Sequence, residues 1–394
     1  VRSTTAKSNI IVKRKLVYPR QRIAVNTRFL LHGQLEGIGL FTYESLKIIV
    51  DEHPEIDFYF LFDRPFHPSF VFAENVKPVV LFPPARHPFL WYWWFEISVS
   101  NWLNKHQPDL FLSTDGYGCL RTSVPQVLVM HDLAFEHFPE QVPLLTRSYY
   151  KFFMPRFAHK AARIATVSTY SKNDIIKQYG ISPHKIDVVY NGAKQIYQPL
   201  AEAEKTIVRN KLTNGAEYFI YVGSIHPRKN IKNLLLAFEA YKTQTDSNTK
   251  LVLVGRKAWD FKEVDETHQL MTHQADVIFM GHVLPEDLSA LMGSALAMVY
   301  VSLFEGFGIP IIEAMSCDVP VITSNVTSMP EAAGDAALLV NPKDVNSIAQ
   351  AMISITQNLE LRQDLITKGK IQRQKFSWKF TAHQLWSACK KAVV

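Results

Sequence analysis

The stretch SLFEGFGIPIIEAMSCDVPVITSN, residues 302–325, sets two carboxylates, Glu305 and Glu313, on either side of a glycine-rich apolar corner. LAMVYVSL (296–303) reads as a strand and Pro310 opens the helix after the corner, where its missing N–H costs nothing. Gly306, Phe307 and Gly308 then occupy a turn between strand and helix, with free N–H groups and the positive end of a helix dipole. Such a turn seats an anion or ligand hydroxyls, and glycine lets the ligand approach the backbone. An acid in the first helical turn is favourable by ~0.3–1 kcal/mol on its own account, so Glu313 alone has an ordinary explanation. Two acids around a Gly-x-Gly corner point instead to a functional site, where both could face one ligand from different sides.

Cations are placed to match. Arg228 and Lys229 follow the expected strand FIYVGS (219–224), which ends in Gly223 and Ser224, and they precede a helix. There they can reach a phosphate, and fixed cations act most strongly on charge that grows as a bond breaks. A solvated basic loop is the plainer alternative. In the first half, GQLEGIGLFTYESL puts Gly37 and Gly39 in a loop between the first strand and a helix, a weak signal that a plain turn explains as well. His131 closes the strand PQVLVM and is followed by Asp132; Ser168 ends ARIATVS as a helix cap or a cleft-lining residue.

The elements that hold these residues alternate β-branched runs with helical stretches, the pattern of α/β architecture with parallel sheets. From 201 to 375 the strands are FIYVGS, KLVLVG, DVIFMG, LAMVYVSL, VPVITSN and AALLVNP, with helices between them, the last at about 346–357. From 1 to 200 they are RIAVNTRFLL, DFYFLFD, PDLFLS, PQVLVM, ARIATVS and KIDVVYNG, with helices near 42–50 and 144–160. The polar stretch AKQIYQPLAEAEK reads as the linker. Two doubly wound domains in tandem place ligands at the carboxyl ends of their strands, so a site between them is a deep cleft. HPFLWYWWFEISVSNWL (87–103) is dense in aromatics. Trp91, Trp94 and Ile97/Ser98 share helical spacing, which predicts burial; an acceptor shelf or a membrane-facing helix is the alternative.

At 394 residues the chain suits two domains, and its net charge of +7 favours anionic partners without selecting one. Cys119, Cys317 and Cys389 are too few and too dispersed for a disulfide framework or a metal knuckle, which argues for a reducing compartment. No apolar run approaches the ~20 residues of a membrane span and no signal-peptide pattern opens the chain. A cytoplasmic setting is expected, with peripheral contact at the inner membrane face as an addition. The first twenty residues read as a frayed end, a membrane-surface arm being the alternative.

Glu305, GFGIPII and Glu313 resemble the E-x7-E motif of the retaining GT-B glycosyltransferases of family 4, the glycosyl transferases group 1. The resemblance extends in order over HDLAFEHFPE (131–140), TVSTYSKNDI (166–175), KIDVVYNG (185–192), YVGSIHPRKNIKNLLLAF (221–238) and SMPEAAGDAALLVNP (328–342). It implies two Rossmann-like domains facing across a cleft, the second holding a nucleotide sugar, and a final helix, within 376–394, that crosses back onto the first. It further implies that Glu313 binds the ribose and that Glu305, with the Phe307–Gly308 backbone, binds the transferred sugar. Arg228 and Lys229 would take the diphosphate, Gly37 and Gly39 would lie over it, and His131 would stand near the reaction centre. The nucleotide base would fall at the loop 281–284, through Gly281 and Val283. The expected reaction is hexosyl transfer with retention, mannose from GDP-mannose, to a saccharide or lipid-linked saccharide acceptor in polysaccharide assembly. UDP-glucose and UDP-N-acetylglucosamine remain open as donors. A nucleotide-sugar 2-epimerase or a non-catalytic sugar-binding subunit are the rival functions. No two aspartates stand two positions apart, so the Asp-x-Asp metal motif of the other large transferase fold is absent and neither metal nor cofactor is expected. No nucleic-acid partner is expected.

Overall fold

The computed structural model describes residues 20–256 and 261–393. The expectation for the first twenty residues therefore falls, Arg20 apart, outside the described residues. Among the described residues, thirteen strands form two parallel sheets. In the first are β1 (Arg22–Asn26), β2 (Asp57–Phe62), β3 (Val76–Val80), β4 (Leu110–Ser113), β5 (Gln126–Val129), β6 (Arg163–Thr166) and β7 (Ile186–Val188), in the order β3-β2-β1-β4-β5-β6-β7. In the second are β8 (Tyr218–Val222), β9 (Lys250–Val254), β10 (Val277–Gly281), β11 (Ala297–Tyr300), β12 (Val321–Ser324) and β13 (Ala337–Val340), in the order β10-β9-β8-β11-β12-β13. Both orders reverse beside their first strand, between β1 and β4 and between β8 and β11. This is the doubly wound plan, with its ligand crevice at that reversal.

Central strands of such sheets are covered on both faces and read as unbroken apolar runs. β8 (YFIYV) and β11 (AMVY) are buried throughout. β3 escaped the sequence reading because Pro78 interrupts VKPVV; it is an edge strand, where proline removes no ladder bond. The helix expected near 42–50 runs Ile38–Glu52, and the long one is Leu144–Lys160. A further helix, Leu359–Gln372, follows Val345–Gln357. The aromatic segment is not one regular helix: Pro88–Trp93 is α-helical, Trp94–Val99 is π and Ser100–His106 is α-helical again. The π segment rotates the face presented to the core. Trp94 is fully buried as the spacing predicts, and Trp91 is half-buried, whereas Phe89 and Trp93 stand 69% and 53% exposed.

The chain passes to the second domain after β7 and returns near Phe376. The returning helix, Trp378–Val393, lies on the first domain: His383 pairs with Glu52 at 2.9 Å, Trp386 packs on His53, and Lys391 reaches Asp187 at 2.6 Å. The two passages touch. Thr381 Oγ1 donates to the Tyr190 carbonyl at 2.6 Å, and the Tyr190 and Phe376 rings meet edge to face at 5.6 Å. Among the described residues, no helix is long and apolar enough to cross a membrane.

Candidate active site

A cavity of about 1220 Å³ lies between the domains at the carboxyl ends of both sheets. The strand–helix corner is its floor. β11 ends at Tyr300, the helix Ile309–Ser316 begins after Gly308, and Gly306 lies against the first domain so closely that a Cβ on it would sit 2.3 Å from the His131 carbonyl oxygen. Ser171 Oγ of the first domain donates to the Gly306 carbonyl at 3.2 Å. The corner is thus both cavity floor and domain contact.

Glu305 and the two cations hold one another. Lys229 Nζ lies 2.5 Å from Glu305 Oε1, Arg228 Nη1 lies 3.2 Å from Oε2, and Tyr300 Oη donates to Oε1 at 2.9 Å. This arrangement differs in one respect from the expectation of acids on hydroxyls and cations on phosphate: the acid already pairs with the cations. Two adjacent cations, Lys229 buried and Arg228 half-buried, would be costly without a counter-charge, and Glu305 supplies it, leaving the cluster one net positive charge for an anionic ligand. Burial disfavours the Glu305 charge, but Lys229 and Arg228 outweigh it and hold the carboxyl at about 2. Burial likewise pulls the Lys229 ammonium below its usual value against the opposing pull of Glu305.

Glu313 is different. It is buried eight residues on, and burial pushes its carboxyl up to about 7; Lys194 and a hydrogen bond with Tyr197 only partly offset this. Because its folded value lies above the ordinary carboxyl value, Glu313 is neutral at no cost in acid. Its contribution to stability is complete below pH 4.5 and is lost as pH rises through about 7. Nucleotide affinity is expected to change across that same window as the carboxylate forms, and Glu313→Gln is expected to flatten the change. Isothermal titration at a series of pH values reads both; an unaltered profile in the variant would exclude Glu313 as the titrating group.

Gly37, His131, Gly223, Ser224, Val283, Phe307 and Gly308 line the same cavity. His131 follows β5 and its Nε2–H donates to the Thr114 carbonyl at 2.8 Å, so the neutral ring keeps Nδ1 as an acceptor. Burial lowers its pKa. Two glycines do not fit the reading. Gly39 lies inside the helix Ile38–Glu52, not in the loop, and is small because a Cβ would meet the Phe29 carbonyl oxygen at 2.7 Å. Gly281 ends β10 and is not among the cavity-lining residues, which take up at His282 and Val283. Ser168 is a cap: it accepts from Ser171 N and is buried.

The sequence reading missed several lining residues. Lys194 and Tyr197 come from the stretch read as a linker and approach Glu313. Arg28, two residues past β1, pairs with Asp115 at 2.5 Å and lies 4.3 Å over the Tyr117 ring. Glu36 reaches across the cleft mouth to Arg256 at 2.5 Å, both half-exposed. Away from the cavity lining, Glu331 spans the domains, accepting from Thr169 N at 2.9 Å at a helix N-terminus and from Tyr190 Oη at 2.6 Å. The one available signal was a polar residue just past a strand's carboxyl end, which marks Arg28 and, at the end of β11, Tyr300.

Comparison with known proteins agrees with this geometry. The family model for glycosyl transferases group 1 matches residues 202–372, and that for glycosyltransferase family 4 matches residues 41–194. The chain is 33% identical to O-antigen chain mannosyltransferase B of Escherichia coli over 67% of its own length and 70% of that protein's. It is 30% identical to O-antigen chain mannosyltransferase RfbU of Salmonella typhimurium over 59% of its own length and 61% of that protein's. The structure of sucrose-phosphate synthase from Thermosynechococcus elongatus superposes with a TM-score of 0.74 at 18% identity, covering 94% of this chain and 99% of that one. The two sheets, the cleft between them and these matches agree: the chain belongs to the group 1 glycosyltransferases and has their GT-B fold.

Proposed function

We propose that the chain transfers a mannosyl residue from GDP-mannose to a saccharide acceptor, free or lipid-linked, with retention of anomeric configuration. The observation that carries the reading is the Lys229–Glu305–Arg228 cluster beside the Gly306–Gly308 backbone, opposite His131 in one cavity. The mannosyl donor is supported by the names of the two O-antigen mannosyltransferases.

In this reading the diphosphate enters beside Lys229 and Arg228, and its charge draws both cations partly away from Glu305. The carboxylate so released accepts hydrogen bonds from a vicinal diol of the sugar. Charge on the diphosphate grows as the glycosidic bond breaks, and cations already fixed in a low-dielectric cleft stabilise that state more than the ground state. The acceptor hydroxyl attacks from the face the nucleotide leaves. Its proton passes to the departing diphosphate oxygen, so no protein nucleophile is needed. His131, kept neutral by burial, turns its Nδ1 toward the developing positive centre rather than adding a like charge.

Side chains thus do the work a metal does elsewhere, and a chelator is expected to leave turnover unchanged. The donor is tested with a panel of nucleotide sugars. Stabilisation by GDP and GDP-mannose but not UDP, with slow hydrolysis of GDP-mannose alone, is the expected result. Response to UDP-sugars only, or loss of turnover in chelator with recovery on added divalent ions, would reject the corresponding part of the reading.

A further inference from the structure

Phe89, Leu90, Tyr92 and Trp93 stand exposed on the helix Pro88–Trp93, and Leu144, Leu145 and Phe152 on the neighbouring helix Leu144–Lys160. Phe89, Tyr92 and Trp93 are spaced by three and four residues and so share one helix face. The two helices join through a chain of rings: Tyr92 to Phe153 at 5.9 Å, and Phe153 to Phe152 at 4.8 Å. Exposed apolar side chains that adjoin in this way mark an interaction surface rather than scattered surface residues.

The two segments that build this surface are basic. Residues 82–106 and 144–160 carry six cations, Arg86, Lys105, Arg147, Lys151, Arg156 and Lys160, against an excess of seven for the entire chain. All six are exposed. The single acid in the two segments, Glu96, is buried and accepts from Leu120 N at 2.9 Å, so it offers nothing to the surface. Arg156 stacks on the Phe152 ring at 3.6 Å, a basic head over an apolar body.

We propose that this face docks on an anionic lipid bilayer. Aromatic rings and leucines rimmed by lysine and arginine fit the headgroup boundary, where the rings enter the interface and the cations meet lipid phosphates. Pairing with a second copy would set basic segment against basic segment, because a twofold contact matches each patch with itself. A nucleic acid would satisfy the charge but not the exposed leucines. The same two helices turn other rings inward: Trp91 and Tyr150 stack at 5.8 Å and line the cleft with Arg86. Docking therefore sets the first-domain end of the cleft at the membrane surface, within reach of an acceptor carried on a lipid. The surface does not depend on the proposed donor.

The test is co-sedimentation of the full chain with phosphatidylcholine vesicles, with and without phosphatidylglycerol. Binding is expected only with the anionic lipid, and it should weaken as salt rises. The pairs Phe89→Ser with Trp93→Ser, and Lys151→Glu with Arg156→Glu, are expected to lower it by about tenfold or more. Circular dichroism and the nucleotide-induced thermal shift should stay unchanged in both pairs. Three results would overturn the proposal: no binding at any anionic content, equal binding by the variants, or a dimer in sedimentation velocity that Phe89→Ser with Trp93→Ser dissolves.

Discussion

Glu305→Gln lowers kcat/KM by about 10²–10³-fold, the loss typical of removing one preorganised electrostatic contact from a transition state. Glutamine keeps the shape but not the charge. Lys229, at 2.5 Å, and Arg228, at 3.2 Å, would then face each other in a buried site without their counter-ion. Breaking such a pair from one side costs on the order of 3–5 kcal/mol, so the denaturation midpoint should fall as well. Two readouts separate the roles. If Glu305 only balances the cations, added diphosphate nucleotide restores the stability of the variant and its KM suffers more than its kcat. If it also binds the transferred sugar, kcat stays low at saturating donor.

The pH dependence adds a check on Glu305. Its folded value of about 2 lies below the ordinary 4.5, so its stabilisation is complete above pH 4.5 and is lost as pH falls through about 2. The acid limb of the wild-type stability curve should therefore flatten in Glu305→Gln. Full activity together with an unchanged acid limb would remove Glu305 from the site altogether.

Gly306→Ala is the second large effect, and it acts through the domains rather than through charge. The new methyl group would sit 2.3 Å from the His131 carbonyl oxygen and 3.0 Å from Asp132 Cβ. Neither neighbour is the free end of a flexible chain, so the domains must part by something near an ångström. In the proposed reading, reacting groups come from both sides of that seam, and such a misplacement costs roughly 10²-fold in turnover. Nucleotide binding, which in the proposed reading rests mostly on the second domain, should change far less. Steady-state kinetics beside nucleotide titration measures the split, and small-angle scattering reports the opening. Turnover within a factor of about two of wild type would mean the seam absorbs the methyl group, contrary to a site built from close-packed parts.

Much of this was legible in the sequence because it is local. The corner at 305–313 combines a strand pattern, two glycines and a proline within a dozen residues, and the structure puts it at the carboxyl end of β11. The helix at 144–160 was readable to its ends. What was not legible depends on chain segments distant in sequence. Glu305 meets Lys229 over 76 positions, a partnership no spacing encodes. Lys194 and Tyr197 looked like linker because nothing local shows that the passage between domains bends beside Glu313. β3 was hidden by Pro78, whose tolerance follows from an edge position that only the assembled sheet defines. Gly39 was misplaced by one helical turn, since a glycine demanded by packing against Phe29 looks the same as one demanded by a ligand.

The polypeptide joins its halves twice, and the two strands of that joint lie side by side, Thr381 bonded to Tyr190 and Phe376 against the same tyrosine ring. A single tether would permit twisting in any direction; a paired one behaves as a door hinge with one axis. An opening of the cleft that keeps both of these contacts is thereby limited to swinging about Tyr190 and Phe376.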